Sequence, residues 1–271
     1  MKAGVLVVDK PRGITSFDAV QAVGRILKER KCGHAGTLDP MATGVLPVCV
    51  GAATKIAGYL TEEEKEYEAA FAFGVATDTG DATGKPVEER PGATATEAAV
   101  AEALAALVGT FEQVPPAYSA VKVGGVRSYT LARKGMEVPL AARRVTVREA
   151  RLLSIGPDRF RAFLAVSKGF YVRSLSRDLG ARLGVPLTVS ELRRTRVGAF
   201  RAEQAVTLDA LRNGHGDSTR PRCSSRSPMR SDGSRAGRCR RRRSPRCETD
   251  GFRVRGWSSA PQRSRGILRC W

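Results

Sequence analysis

"KEYEAAFAFGV", residues 65–75, decides the fold class. Tyr67, Ala69, Phe71, Phe73 and Val75 share one parity, and Glu66 and Glu68 the other. Strand side chains alternate between faces, so the run predicts a half-buried strand with its aromatic face on a core. Residues 159–167 repeat the pattern through Phe160, Ala162, Leu164 and Val166, and a further strand is expected over 144–155. Nearer the N-terminus, residues 4–9 read as a short buried strand and "VLPVCVG", residues 45–51, as another. Between and around them lie helical patterns. Thr15 and Asp18 have the spacing of a capping box, and a helix over Ser16–Lys28 would bury Phe17, Val20, Val23 and Leu27. "ATKIAGYL" (53–60) predicts a short helix and residues 95–108 an alanine-rich one. After "SKGFY" a helix carries Tyr171, Leu175, Leu179 and Leu183 along one side. Strands and helices mix without strict alternation, which favours α+β over a doubly wound parallel sheet.

The chain has 271 residues and a net charge of +19. Such an excess favours an anionic partner, most often nucleic acid. No apolar run approaches the length of a membrane span or a signal peptide's apolar region, so a cytoplasmic protein without membrane contact is expected. The charge is uneven: residues 213–271 hold 16 arginines, no lysine and four acids, a net +12 that leaves +7 for the preceding 212 residues. That segment also contains both tryptophans and four of the six cysteines, and it shows no hydrophobic period. It reads as a disordered Arg/Ser/Pro-rich tail, either the product of a GC-rich gene read out of frame or a natural RNA-binding arm. Its cysteine spacing matches no zinc module, and neither a structural disulfide nor a metal is expected.

"KCGHAGTLDP", residues 31–40, holds one of two histidines in the chain, His34, and a carboxylate, Asp39, in a glycine-rich loop. Such a carboxylate can be a nucleophile, a general base, a metal ligand or a turn former, and by spacing alone the turn former is the commonest. Arg173 stands near the start of a helix, where a guanidinium opposite a carboxylate would hold it ionised and oriented; a lone arginine is more often a solvated one. Lys168 beside Gly169 suits a phosphate or a plain turn. Tyr67 suits core packing, or stacking on a flat base. In "PPAYSAVKVGGVRSYTLARKG", residues 115–135, Lys122, Arg127 and Arg133 alternate with tyrosines, a pattern suited to RNA.

Six stretches, in order, carry a resemblance: "LVVDKPRGITSFDAV", "GHAGTLDPMATGVLPVCVGAATK", "KEYEAAFAFGVATDTGD", "PPAYSAVKVGGVRSYTLARKG", "SKGFYVRSLSRDLG" and "ELRRTRVGAF". From about residue 3 to residue 211 the chain resembles the TruB-type tRNA pseudouridine synthases. The resemblance implies the pseudouridine synthase fold, a mixed, mostly antiparallel sheet with flanking helices around a catalytic cleft. It implies isomerisation of uridine 55 in the T-loop of tRNA, without cofactor or metal, by a monomer that needs no protein partner. Asp39 then matches the catalytic aspartate. Tyr67 matches the tyrosine on the target base, Arg173 the arginine paired with the aspartate, Tyr171 and Leu192 pocket residues, and Lys10 a support of the active-site loop. His34 matches the histidine that holds the everted T-loop. Residues 1–212 are expected to be the catalytic domain, cut short at its end, with 213–271 in place of the usual PUA-type RNA-binding domain.

Overall fold

The computed structural model describes residues 3–119, 121–132, 136, 138–216 and 267–268. The chain opens with strand β1 (Gly4–Lys10), helix α1 (Ser16–Leu27), the short β2 (Cys32–His34) and β3 (Thr43–Val50). A 3-10 turn leads to α2 (Ala57–Glu62), then β4 (Lys65–Phe73). A small hairpin, β5 (Val75–Thr77) and β6 (Pro86–Glu89), precedes α3 (Glu97–Ala105) and β7 (Gly109–Gln113). A second hairpin, β8 (Lys122–Val123) and β9 (Val126–Arg127), leads into α4 (Ser128–Ala132). The long pair β10 (Arg143–Ile155) and β11 (Arg159–Val166) is followed by α5 (Val172–Leu183) and β12 (Leu187–Val197). The described elements close with β13 (Phe200–Arg201), β14 (Val206–Thr207), α6 (Leu208–Gly216) and β15 (Ile267–Leu268).

One large sheet runs β14-β1-β3-β12-β4-β11-β10-β7, with β2 added to β3, β13 to β12 and β15 to β1. Only the β1–β14 and β3–β12 contacts are parallel. The expected α+β class, with a mostly antiparallel mixed sheet, is what the chain forms. β4 lies at the centre because its aromatic face has neighbours on both sides: Tyr67 pairs with Leu164 of β11 and Arg194 of β12. The Phe71 and Phe160 rings stack 5.0 Å apart across that pairing. Each fully buried side chain of this size contributes about 1.5–3 kcal/mol. α1, α3 and α5 cover this face through Val20, Val23, Val100, Leu104, Leu175 and Leu179. Alternate residues of β1 and β3 (Val5, Val7, Val45, Cys49) form a second, smaller cluster under α2.

The structure corrects four details. The strand of residues 65–75 breaks at Gly74, whose φ of +82° turns the chain so that Val75 starts the separate β5–β6 hairpin. Phe17 is 64% exposed. The capping box forms as expected, with the Thr15 hydroxyl accepting from Asp18 N and the Asp18 carboxylate from Thr15 N. The buried stripe of α1, however, runs through Ser16, Ala19, Val20 and Val23, and Phe17 lies one helical step off it. Residues 32–34, read as loop, pair with the edge of β3 as β2. The boundary after Arg212 falls inside α6: Leu208 and Leu211 pack on the core, and helical bonding carries the backbone on to Gly216. Ile267 and Leu268 lie antiparallel to Leu6 and Val5, on the edge of β1 that β14 uses at Val8 and Asp9. The remainder of the segment beyond Gly216 lies outside the described residues. Among the described residues no helix is long and apolar enough to cross a membrane.

One close approach fixes the sheet. β12 stays paired with β4 on one edge and meets β3 in parallel on the other, at Arg193 and Arg194, opposite Thr43 and Gly44. A Cβ on Gly44 (φ +103°) would stand 2.1 Å from the Arg194 carbonyl oxygen. Gly44→Ala is therefore expected to cost about 2–4 kcal/mol, since it combines a positive φ with a backbone collision. Urea unfolding measures this, and a loss below about 1 kcal/mol would mean that the two strands part easily.

Candidate active site

The loop between β2 and β3 carries Asp39. Its neighbours Leu38, Met41 and Ala42 are buried in the main core, which leaves the Asp39 side chain one-third exposed above them. The loop is pinned from below. The Ser16 hydroxyl donates to Leu38 O (3.0 Å) and accepts from Leu38 N (2.8 Å). Lys10 is fully buried, and its ammonium donates to Pro11 O (2.8 Å), Ile14 O (2.8 Å) and, at longer range, Pro40 O (3.4 Å). Three donors thus meet three main-chain acceptors, two of them in the turn beside the loop and one in the loop itself. Burial pushes the Lys10 pKa down to about 8, against the pull of nearby Asp39 and with a further push from Arg194.

Arg173, at the second residue of α5, faces the loop. Its Nε and Nη2 donate to the two Asp39 carboxylate oxygens at 2.8 and 3.0 Å. This two-point contact fixes the plane of the carboxylate as well as its charge partner. Two further guanidinium donors are also engaged. Nη1 donates to Thr79 O (3.2 Å), and Nη2 also to Tyr118 O (2.8 Å). A second carboxylate, Asp81, lies 3.7 Å from Nε. Asp81 is buried, and its Oδ1 accepts from Thr79 Oγ1, Thr83 N and Thr83 Oγ1. The start of α5 is held by Gln113 of β7, which accepts from Tyr171 N (2.9 Å) and donates to Tyr171 O (3.2 Å). Burial pushes the Tyr171 hydroxyl pKa up.

Tyr67 and Leu192 are buried in the same core cluster as Leu38 and Met41. The structure thus brings Asp39, Arg173, Tyr171 and Lys10 to one place, with Tyr67 and Leu192 in the apolar body beside it. His34 sits at the end of β2, one residue before the loop begins; its Nδ1 is buried with no hydrogen-bond partner, and burial, then Arg194, lower its pKa. The other expected RNA contacts are placed as follows. The Lys168 ammonium pairs with Glu62 of α2, and the turn that carries it precedes α5 by several residues. Lys122 and Arg127 face each other across the β8–β9 hairpin as backbone partners. Arg133 lies outside the described residues.

Sequence reasoning missed two groups. Asp81 lies at the end of the block "KEYEAAFAFGVATDTGD" with nothing in the sequence to mark it, and it is buried in a turn that docks on Val189 of β12. Arg194 was one arginine among several in "ELRRTRV", yet it is 1% exposed. Its available signal was parity: it stands two residues after Leu192 and shares its inward face. No group of three or more His, Cys, Asp or Glu among the described residues is placed to hold a metal.

The buried lysine makes stability depend on pH. Lys10 binds its proton less tightly folded than unfolded. From about pH 8 to 10.5 the unfolded chain therefore carries more protons, and this group's contribution to stability rises with pH. Urea titrations across that range should show the stability gap between wild type and Lys10→Met widening in favour of wild type. A constant gap would mean that Lys10 keeps its ordinary proton affinity.

Comparison with known proteins places this arrangement. The family model of the TruB family pseudouridylate synthase N-terminal domain matches residues 24–172. That of the tRNA pseudouridylate synthase B C-terminal domain matches residues 173–220. Among curated relatives, the tRNA pseudouridine synthase B of Aromatoleum aromaticum is 50% identical over 208 residues, 77% of this chain and 67% of that protein. The protein of the same name from Thermobifida fusca is 52% identical over 221 residues, 78% of this chain and 75% of that one. Among solved structures, Cbf5 in a Cbf5-Nop10-Gar1 complex is 32% identical with a TM-score of 0.62 over 78% of this chain and 54% of that one. An archaeal box H/ACA sRNP Nop10-Cbf5 complex gives 29% and 0.59 over 78% and 53%. The chain spans about half the length of the matched chains in those two structures. A family model that covers more than half of the residues, together with relatives half identical over two-thirds of their own length, establishes that the chain belongs to the TruB family of pseudouridylate synthases.

Proposed function

We propose that the protein isomerises uridine 55 in the T-loop of tRNA to pseudouridine, with Asp39 as its catalytic carboxylate. The observation that carries this reading is the two-point Asp39–Arg173 pair on the rim of an apolar core that contains Tyr67 and Leu192. The relatives named tRNA pseudouridine synthase B support an RNA substrate of this class.

The reaction breaks the bond from N1 to C1′ of the ribose, turns the uracil, and joins C5 to the same carbon. C5 gives up a proton and N1 gains one, so atoms and electrons balance with no redox or group-transfer cofactor. Asp39 can attack the ribose, attack the base, or take a proton from the sugar, and each role needs a carboxylate that does not wander. Arg173 supplies that constraint and counters the charge. The target base must leave its stack to reach Asp39. The Tyr67 ring and the Leu192 side chain give the freed uracil an apolar wall, and Tyr171 closes the side toward α5. His34, at the base of the Asp39 loop, holds the everted T-loop of the RNA.

The domain division is part of the same proposal: residues 1–212, with the end of α6, form the catalytic unit, and the arginine-rich segment beyond is dispensable for chemistry. The protein then works in the cytoplasm, as a monomer on free tRNA, without a guide RNA or a protein partner.

Two measurements check these statements. On a T-arm stem-loop with no other component present, Asp39→Asn should lower the single-turnover rate by roughly 10³-fold or more, with RNA affinity within about threefold of wild type. Normal turnover by that variant would falsify the role of Asp39. Deletion of residues 217–271 should leave the turnover of bound RNA nearly unchanged. A large loss of affinity that shrinks as salt is raised would instead identify the segment as an RNA-binding arm.

A further inference from the structure

Arg194 is the largest fully buried side chain among the described residues, and no carboxylate pairs with it there. Its guanidinium is used entirely on main-chain oxygens of the loop that carries Asp39. Nε donates to Val45 O at 2.8 Å, Nη1 to Thr37 O at 3.2 Å and Nη2 to Gly36 O at 3.0 Å. Gly36 and Thr37 form the entry to the loop, and Val45 lies just past its exit. One planar group thus ties the two stems together, with Asp39 between them.

The surroundings are built for this contact. Gly36 has a φ of +87°, and a Cβ there would lie 3.5 Å from Arg194 Nη1 and 3.8 Å from Lys65 Cε. Gly44 admits the Arg194 backbone at the point where β12, paired with β4 on one edge, meets β3 on the other. The neighbouring cation, Lys65, turns its ammonium away, to Thr61 O and Glu63 O, and its pKa falls to about 8 through burial first and Arg194 second. A lysine at position 194 would meet the same burial. It would also offer one nitrogen where the loop needs a fork that spans three carbonyls, and a guanidinium keeps its charge where an ammonium does not.

We infer that Arg194 is a positioning residue for Asp39, setting the height and direction of the carboxylate against Arg173 by fixing both stems of the loop. The inference rests on the proposed role of Asp39. A residue whose only task is to hold the fold costs stability and leaves the rate per folded molecule alone. A positioning residue lowers the rate of bound substrate and spares affinity, because a misplacement of about 1 Å near the reacting atoms costs on the order of 10²-fold.

The test uses the full chain and a T-arm stem-loop, with single-turnover rates at saturating enzyme, RNA affinity by filter binding, and folding by circular dichroism. Arg194→Lys should fold, bind RNA within about threefold of wild type, and turn over about 10²-fold more slowly. A folded Arg194→Lys protein with a rate within about threefold of wild type overturns the inference. Where that variant does not fold, the same rate criterion decides on a protein that keeps Arg194. In it a backbone ester replaces the amide between Gly36 and Thr37, which weakens the Gly36 carbonyl as an acceptor. Asp39→Asn measured alongside separates the two claims: if it turns over normally, the role of Asp39 fails, whatever Arg194 does.

Discussion

The structure depends on how four buried cations are satisfied. Lys10, Lys65, Arg173 and Arg194 are all less than one-tenth exposed, and the only buried acid among the described residues is Asp81. An isolated buried charge costs several kcal/mol unless it is fully hydrogen-bonded. Lys10, Lys65 and Arg194 meet that demand with eight main-chain carbonyls, four of them (Gly36, Thr37, Pro40 and Val45) in or beside the loop that carries Asp39. The consequence is twofold. The carbonyls become fixed points, because moving any of them strands a cation. Asp39 is also not drawn into a pair with these three groups and remains directed at Arg173. The exposed ion pairs along the sheet, such as Arg148–Glu64 and Arg161–Glu68, have no such consequence. Each is worth about 0–1 kcal/mol and leaves both partners free to move.

The same accounting explains why the cleft forms where it does. β12 is antiparallel to β4 over most of its length and touches β3 only at Arg193–Arg194. The β3–β12 pairing is confined to these two residues, and the Asp39 loop leads into β3 immediately before them. The turn at residues 77–83 forms a second wall, docking Asp81 on Val189 and packing Gly80 against the first turn of α5. A Cβ on Gly80 would lie 2.6 Å from Arg173 O, so this turn and the helix that carries Arg173 have no room to slide. Both walls are therefore set by backbone contacts, and the Asp39–Arg173 pair joins two surfaces already in place.

Much of this was legible in the sequence, and the limits have physical causes. Alternation placed β4 and β11, since period-2 burial is a local property. The Thr15–Asp18 capping box placed the start of α1 for the same reason. Phe17 failed because aromatic character says nothing about which side of a helix meets the core. Asp39 and Arg173 were picked out by resemblance; as residue types, a turn aspartate and a lone arginine are both commonly solvated. Arg194 and Asp81 escaped because the burial of a charged side chain depends on partners distant in the chain. Arg194 answers to carbonyls about 150 to 160 residues earlier, through bonds that a linear reading does not register.

A cleft held this way is poorly suited to closing around its substrate, and that bears on how a nucleotide would react in it. Gly36, Leu38 and Pro40 are anchored on either side of Asp39, and the Arg173 guanidinium bonds to three separate chain segments. The carboxylate cannot travel toward a base that remains in its stack. Movement must come from the RNA, at an unstacking cost of a few kcal/mol that contacts to the extruded nucleotide have to offset. Rigidity has a return in the chemistry. In the proposed reaction, uracil must turn between the breaking of one glycosidic bond and the making of the other, beside the same carboxylate. A carboxylate fixed at both oxygens by Arg173, on a loop fixed at both stems, need not reorganise between the two steps, and the absence of that reorganisation is the largest advantage a preformed site has over water.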